Sequence, residues 1–250
     1  MNFVNVKIEE GVAEILLNRP KVNAINEQVV DELGKCFNEL RRDKTVKALI
    51  LTGEGSFFSF GFDVPELYRY KKRDFTEFLF RFSDMLSDVF LFPKPVLAAL
   101  NGHTIAGGCI LALACDYRLM VTEKAKISLN EITFGSTLFS SAVEMLRFLV
   151  GAKNASTILY SGRMYSADEA LRLGLIDNAV SAEELLGFAR GIARDFIDKD
   201  ALAFKGIKFL LRNPVANYIK DNEKDSIIEF VDIWYSESVR NSLRSIVIRD

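Results

Sequence analysis

An α/β domain with mostly parallel strands is the architecture this chain predicts, and three observations predict it. Short apolar runs of strand length alternate with 3.6-residue apolar stripes through the first half. Paired glycines, Gly107-Gly108, open a helical run soon after one of those strands. The second half turns to capped helical segments. At 250 residues, 49% hydrophobic and 26% charged, the chain can bury a sizeable core, either as one large domain or as a core with a small appendage.

The elements follow in order. Val4-Asn5-Val6-Lys7-Ile8 alternates, Glu10-Gly11 turns and Val12 to Leu17 returns, which reads as a β-hairpin. Asn26 is placed to cap a helix whose stripe is Val29, Val30, Leu33, Phe37 and Leu40. Buried-strand runs follow at Val46 to Thr52 and Pro95 to Leu100. Ser166 with Glu169, and Ser181 with Glu184, have the spacing of capping boxes, and Gly174 closes the first of those helices. Pro214 is expected to break the helix that runs from Ala201 to Arg212. The last helical stretch, with Ile227, Ile228, Val231, Trp234 and Tyr235, carries too much apolar surface for a solvated tail. It should pack on the core or on another subunit.

Composition removes several function classes. With 32 basic and 34 acidic residues the net charge is -2, no Lys/Arg cluster stands out, and no nucleic-acid partner is expected. Cys36, Cys109 and Cys115 lie at wide, apolar-flanked spacings, which fits a reducing compartment and gives no metal pattern. No charged segment followed by an apolar core opens the chain, and no apolar run approaches about twenty residues, so the expectation is a cytoplasmic protein without a membrane partner. There is no P-loop or dinucleotide fingerprint. His103, the only histidine, sits in an Asn101-Gly102-His103 turn with no nucleophile motif around it, so a structural role is expected.

Three segments carry chemistry. In Ala106-Gly107-Gly108-Cys109-Ile110, glycines at a loop-to-helix junction let backbone approach a ligand, and the first N–H groups of the helix are unpaired donors at its positive end. A tight helix–strand packing turn is the alternative. Phe58-Ser59-Phe60-Gly61-Phe62-Asp63 follows a buried strand at an edge where α/β ligand sites collect, and its aromatic rings could shape an acyl or flat-ring pocket. Alternatively it is a hydrophobic loop over the core. Glu131 ends the apolar run Ile127-Ser128-Leu129; burial there would raise its pKa and suit a base working near neutrality. An exposed strand-end glutamate is the other reading.

Taken together and in order, these segments resemble the crotonase superfamily, the enoyl-CoA hydratase/isomerase family, over nearly the whole chain. The landmarks are Leu17-Asn18-Arg19-Pro20, Asn23-Ala24-Ile25-Asn26, Phe58 to Asp63, Lys94-Pro95-Val96, Asn101-Gly102, Ala106 to Cys109, Cys115-Asp116-Tyr117-Arg118 and Glu169 to Ile176. The resemblance implies a spiral ββα core over residues 1–190 and a C-terminal helical trimerisation region over 191–250. It also implies an acyl-CoA thioester substrate, with coenzyme A entering only as part of that substrate and no separate cofactor or metal. A homotrimer or dimer of trimers is the assembly it implies. The thioester oxygen would lie between the N–H groups of Phe60 and Gly107, with Ser59, Gly61, Phe62, Asp63, Gly108 and Ile110 around the substrate. Hydratases of this family carry two glutamates; here Ile110 stands at the first position and Glu131 at the second. Single-glutamate members with Leu129-Asn130-Glu131 at this place are similar to Δ3,Δ2-enoyl-CoA isomerases, so the expected reaction is a 3-enoyl to 2-enoyl shift with Glu131 moving the proton. A hydratase, another thioester reaction on the same oxyanion site, or a silent CoA-binding relative are the alternatives.

Overall fold

The computed structural model describes residues 1–246 and Ile248; Val247, Arg249 and Asp250, at the end of the expected helical region, lie outside the described residues. The predicted hairpin forms as β1 (Val4–Glu9) and β2 (Val12–Leu17), antiparallel, with Glu10 and Gly11 at positive φ in the turn. The helix α1 (Glu27–Arg42) starts where Asn26 accepts the Val29 N–H, and it buries Val29, Val30, Leu33, Cys36, Phe37 and Leu40. The chain continues through β3 (Ala48–Gly53), β4 (Phe57–Ser59), α2 (Val64–Leu67), α3 (Lys72–Phe90) and β5 (Val96–Leu100). Then come β6 (His103–Ile105), α4 (Gly107–Ala114), β7 (Tyr117–Val121) and β8 (Ile127–Ser128). A single 3-10 turn over Glu131–Phe134 leads into α5 (Ser140–Ser161), α6 (Ala167–Leu173), β9 (Asn178–Val180), α7 (Leu185–Ile197), α8 (Ala201–Trp234) and α9 (Glu237–Leu243).

Two sheets result. The larger has the order β1-β2-β3-β5-β7-β9 and is parallel from β2 onward; the smaller, β4-β6-β8, is parallel throughout. β3 and β5 are buried along their whole length, as their unbroken apolar runs require. Each of β3, β5 and β7 feeds a strand of the small sheet, so successive ββα units wind in one direction. This is the expected crotonase-type core with helices following it. Among the described residues no helix is long and apolar enough to cross a membrane.

Three expectations need correction, two of them about the second half, and the Ser166 capping box does not. It forms with both reciprocal bonds, and Gly174 closes α6 at φ +74°. Ser181 does not cap a helix: its hydroxyl bonds the Glu184 carboxylate across a turn, and α7 starts only after Glu184. The two side chains satisfy each other, which leaves neither for the helix N–H groups. Pro214 does not break its helix; α8 runs through it for 34 residues. A mid-helix proline costs about 3 kcal/mol, and buried anchors on both sides offset it. Before it, Arg212 donates to the Phe90, Ala114 and Cys115 carbonyls and pairs with Asp116, which Lys208 also holds at 2.7 Å. Beyond it, Ile219, Ile227, Phe230, Val231 and Trp234 are buried, and α8 packs on α3 and α5. Finally, a Lys/Arg cluster does exist: Arg41, Arg42, Lys44 and Lys47 gather with Lys94 and Lys199 around one cavity. The balanced total charge conceals it.

Candidate active site

All three strands of the small sheet point their C-terminal ends at one place. β4 pairs with β6, and β6 with β8 through Thr104–Ile127 and Ile105–Ser128. The chain leaving β4 reaches Phe62, the chain leaving β6 reaches Gly107 and Ile110, and the chain leaving β8 reaches Glu131. A cavity of about 490 Å³ lies between them, lined by Phe60, Phe62, Ile105, Ala106, Ile110 and Glu131, with Phe134, Phe139, Phe230 and Trp234 on the other walls. Glu131 is the one titratable side chain among the described lining residues.

Glu131 begins the 3-10 turn, which Gly135 closes at φ +82° and the Thr133 hydroxyl fastens to the Asn130 carbonyl at 2.7 Å. The residue is 5% exposed, and its Oε2 has no hydrogen-bond partner among the described residues. Burial pushes the carboxyl pKa up to about 8, opposed in part by the residue's own backbone N–H. A buried carboxyl with one oxygen unpartnered among the described residues, facing an apolar cavity, is suited to exchanging a proton.

Of the two expected donors, one is displaced by two residues. The Phe60 N–H is committed to the Val22 carbonyl at 2.9 Å, so Phe60 is not a free donor. Phe62 is. Its neighbours take part in the bridge to Ile25, where Ile25 N–H reaches Gly61 O and Asp63 N–H reaches Ile25 O, and that register leaves the Phe62 N–H without a partner among the described residues. The second donor, Gly107, opens α4, where a first-turn N–H has no intrahelical acceptor. Gly61, at φ +95°, makes the approach possible: a Cβ there would lie 2.9 Å from the Gly107 nitrogen and 2.8 Å from the Ile105 carbonyl. Ala106, the N-cap, sits at φ 48°, ψ -119°, a region that strains any residue with a side chain. Such strain persists where the surroundings fix the backbone, and here it fixes the direction of the first helical N–H groups.

The remaining expected substrate contacts divide. Phe62 and Ile110 line the cavity. Ser59, Gly61, Asp63 and Gly108 do not, and each has a structural duty instead. The Ser59 hydroxyl donates to Asn23 O at 2.7 Å and accepts from the Gly61 N–H. Asp63 caps α2 and binds Arg19 at 2.5 Å. Gly108 lets α4 lie on β4, since a Cβ would meet the Ser59 carbonyl at 2.6 Å. Asn23 is a residue that reading by motif alone leaves without a role. Its side chain bonds Arg19 N–H and the Glu54 and Phe57 carbonyls, so it braces the turn that presents Phe62. Its positive φ of 49° is the sign of that special placement. His103 is half-buried against the Phe57 ring and away from the cavity lining. Among the described residues no group of three His, Cys, Asp or Glu side chains could hold a metal ion.

Comparison with known proteins places the chain in a family. Residues 7–246 match the family described as enoyl-CoA hydratase/isomerase. The chain is 29% identical over 248 residues to a probable enoyl-CoA hydratase of Bacillus subtilis, covering 98% of this chain and 95% of the relative. It is 32% identical over 207 residues to the short-chain-enoyl-CoA hydratase of Clostridium acetobutylicum, covering 82% and 79%. In three dimensions it is similar to human mitochondrial Δ3,Δ2-enoyl-CoA isomerase, with a TM-score of 0.92 at 25% identity over 97% of this chain and 95% of that one. The chain belongs to the enoyl-CoA hydratase/isomerase family of the crotonase superfamily.

Proposed function

We propose that the protein is an acyl-CoA isomerase that moves the double bond of a 3-enoyl-CoA into conjugation with the thioester. The observation that carries this reading is the single carboxylate in the cavity, Glu131, with the aliphatic Ile110 on the wall formed by α4. The Phe62 and Gly107 N–H groups hold the thioester oxygen, and charge moving onto that oxygen acidifies C2. Ionised Glu131 takes a proton from C2, the dienolate is stabilised at the two donors, and the same carboxyl returns the proton to C4. The product is the 2-enoyl-CoA, and no atom is gained or lost. Adding water would call for a second group to activate it, and Ile110 cannot serve. The test is to incubate the protein separately with 3-enoyl-CoA and 2-enoyl-CoA. Conjugated thioester from the first and no 3-hydroxyacyl-CoA from the second supports the proposal; the reverse pattern identifies a hydratase.

A gain-of-function substitution probes the same point. Ile110→Glu places a carboxylate one helical turn from Gly107, and measurable hydration of 2-enoyl-CoA is the expected outcome. The site is apolar and Ile110 is 1% exposed, so the variant should lose stability by about 1–3 kcal/mol. Its fold and CoA binding are therefore checked first. A folded, CoA-binding variant that hydrates nothing would show that the loop after Glu131, and not the missing glutamate alone, keeps water out.

The assembly proposed is a trimer or a dimer of trimers. The residues expected to drive it are largely internal: Val231 and Trp234 are buried in their own chain and Tyr235 donates to the Tyr70 carbonyl, while Ile228 stays 42% exposed. The apolar surface left open lies earlier on α8, at Leu202, Ile207, Leu210 and Leu211, each at least 60% exposed. Light scattering should give three or six copies for the native chain and a smaller species for Leu202→Glu/Leu210→Glu. A native monomer at micromolar concentration contradicts the assembly.

A further inference from the structure

A second concave site lies at the opposite edge of the large sheet from Glu131. A cavity of about 330 Å³ is enclosed by the end of α1, the loop into β3, the Pro93–Pro95 turn into β5 and the junction of α7 with α8. β3 and β5 begin beside it at Ala48 and Val96. They then carry the chain about 17–20 Å, at the usual rise per strand residue, before the segments that build the catalytic cavity begin.

Its rim is cationic. Arg41, Arg42, Lys44, Lys47, Lys94 and Lys199 line it, against Asp43 as the one acid among the described lining residues. Some of these charges are engaged. Arg41 pairs with Asp88 at 2.9 Å and lies over the Phe92 ring, and the Asp43 carboxylate accepts from the Thr45 N–H and hydroxyl. Lys94 donates to the Leu40 and Asp43 carbonyls, and the nearby Asp43 carboxylate partly offsets its charge. Arg42, Lys44, Lys47 and Lys199 make no ion pair among the described residues. Asp200, next to Lys199, is turned to cap α8 through the Ala203 N–H. The inner wall is different in kind. Phe196 and Phe204 stand edge to face with centroids 5.6 Å apart, both half-buried, beside Ile197 and the two prolines.

Like charges gathered without partners repel, and an anion seated among them relieves that repulsion. A phosphate alone leaves the aromatic wall uncovered, and a flat apolar ring alone leaves the cations unanswered. We infer that this cavity binds a nucleotide, its ring against Phe196 and Phe204 and its phosphates among Arg42, Lys44, Lys47 and Lys199. A volume of about 330 Å³ suits one nucleotide rather than a nucleic-acid strand, which needs a longer groove tracking several phosphates. Two sources offer this chemistry, a free nucleotide or the ADP portion of a second coenzyme A molecule.

The test is calorimetric titration of the full-length protein with ADP, pyrophosphate, coenzyme A and a short single-stranded RNA. ADP should bind, and more weakly as salt is raised from about 50 to about 200 mM. Lys44→Glu/Lys47→Glu should weaken ADP by about tenfold or more through lost phosphate neutralisation, and Arg42→Ala/Lys199→Ala, with four exposed side chains between the two variants, should act in the same direction. Phe204→Ala should weaken ADP but not pyrophosphate. Enoyl-CoA turnover should be unchanged in all three. If coenzyme A affinity shows a second site lost in parallel with ADP, the ligand is the coenzyme; if only ADP is lost, it is a free nucleotide. ADP binding indifferent to all three variants overturns the inference, as does RNA binding tighter than ADP or pyrophosphate binding equal to ADP with no dependence on Phe204.

Discussion

Glu131→Gln is expected to lower isomerase turnover by about 10²- to 10⁴-fold, the usual contribution of a positioned general base, while acyl-CoA binding stays near native. The amide keeps the shape of the side chain and its place at the start of the 3-10 turn, so little contact area changes. The pH dependence of the native enzyme checks the same group. Burial raises the Glu131 pKa to about 8, and only the ionised form can accept the C2 proton. Turnover at subsaturating substrate should therefore rise with pH and level off above about 8, and that limb should vanish from the residual activity of Glu131→Gln. Native turnover in the variant would remove Glu131 from the role of base.

Stability should move the other way. The folded-state pKa lies above the unfolded value, so the folded chain holds this proton where the unfolded chain releases it. The contribution is fully present below about pH 4.5 and is lost as pH rises towards 8. Glutamine does not titrate, so Glu131→Gln should gain on the native protein across that window, by as much as about 4 kcal/mol at pH 8. Denaturant melts of both proteins at acid and mildly alkaline pH measure it. A variant more stable and far less active than the native chain is the signature of a residue kept for chemistry at the expense of the fold.

What could be read from the residues, and what could not, follows the range of the forces involved. Local rules found the hairpin at Glu10-Gly11, the Asn26 cap and its stripe, and the Ser166 capping box, because each is decided within one or two turns of chain. Glu131 stands out only beside the Gly107-Gly108 segment and the family resemblance, since an acid ending an apolar run is by itself more often an exposed one. The Ser181 box failed on a local alternative, its hydroxyl bonding the Glu184 carboxylate three residues on; the other failures depended on distant partners. Pro214 is tolerated because Arg212 is bolted to the ends of α3 and α4, residues more than ninety positions away. The free donor is Phe62 and not Phe60 because the Val22 carbonyl happens to meet the Phe60 N–H, and no spacing rule records which N–H of a turn is already taken. Spacing gives Phe139 and Phe230 no role and places Trp234 only on a packing helix; in the fold they pack on one another and on Phe75 while also walling the cavity.

Gly61→Ala should be the most damaging single-methyl change in the site, worse than Gly107→Ala. At Gly107 the backbone is not at positive φ, and a Cβ would crowd only the edge of the Phe62 ring, at 3.1 and 3.2 Å, with the Gly61 Cα at an ordinary 3.5 Å, so a modest ring movement accommodates it. The crowding there is real, but the backbone angles tolerate a side chain. At Gly61 the φ of +95° is strained for alanine, and the new methyl would lie 2.8 Å from the Ile105 carbonyl, 2.9 Å from the Gly107 nitrogen and 3.1 Å from the Ala106 Cβ. Two of those atoms are backbone and cannot swing aside. The strained φ and the overpacking together should cost about 3–5 kcal/mol of stability. Relief of the clash pushes the Phe62 and Gly107 N–H groups apart, and loss of one donor's alignment typically lowers turnover by about 10²- to 10³-fold. Measured side by side, Gly61→Ala should lose several degrees of melting temperature and most of its activity, while Gly107→Ala keeps a near-native melt and a larger share of its turnover. If the two variants behave alike, the closeness of Gly61 to the start of α4 is not what sets the pair of donors.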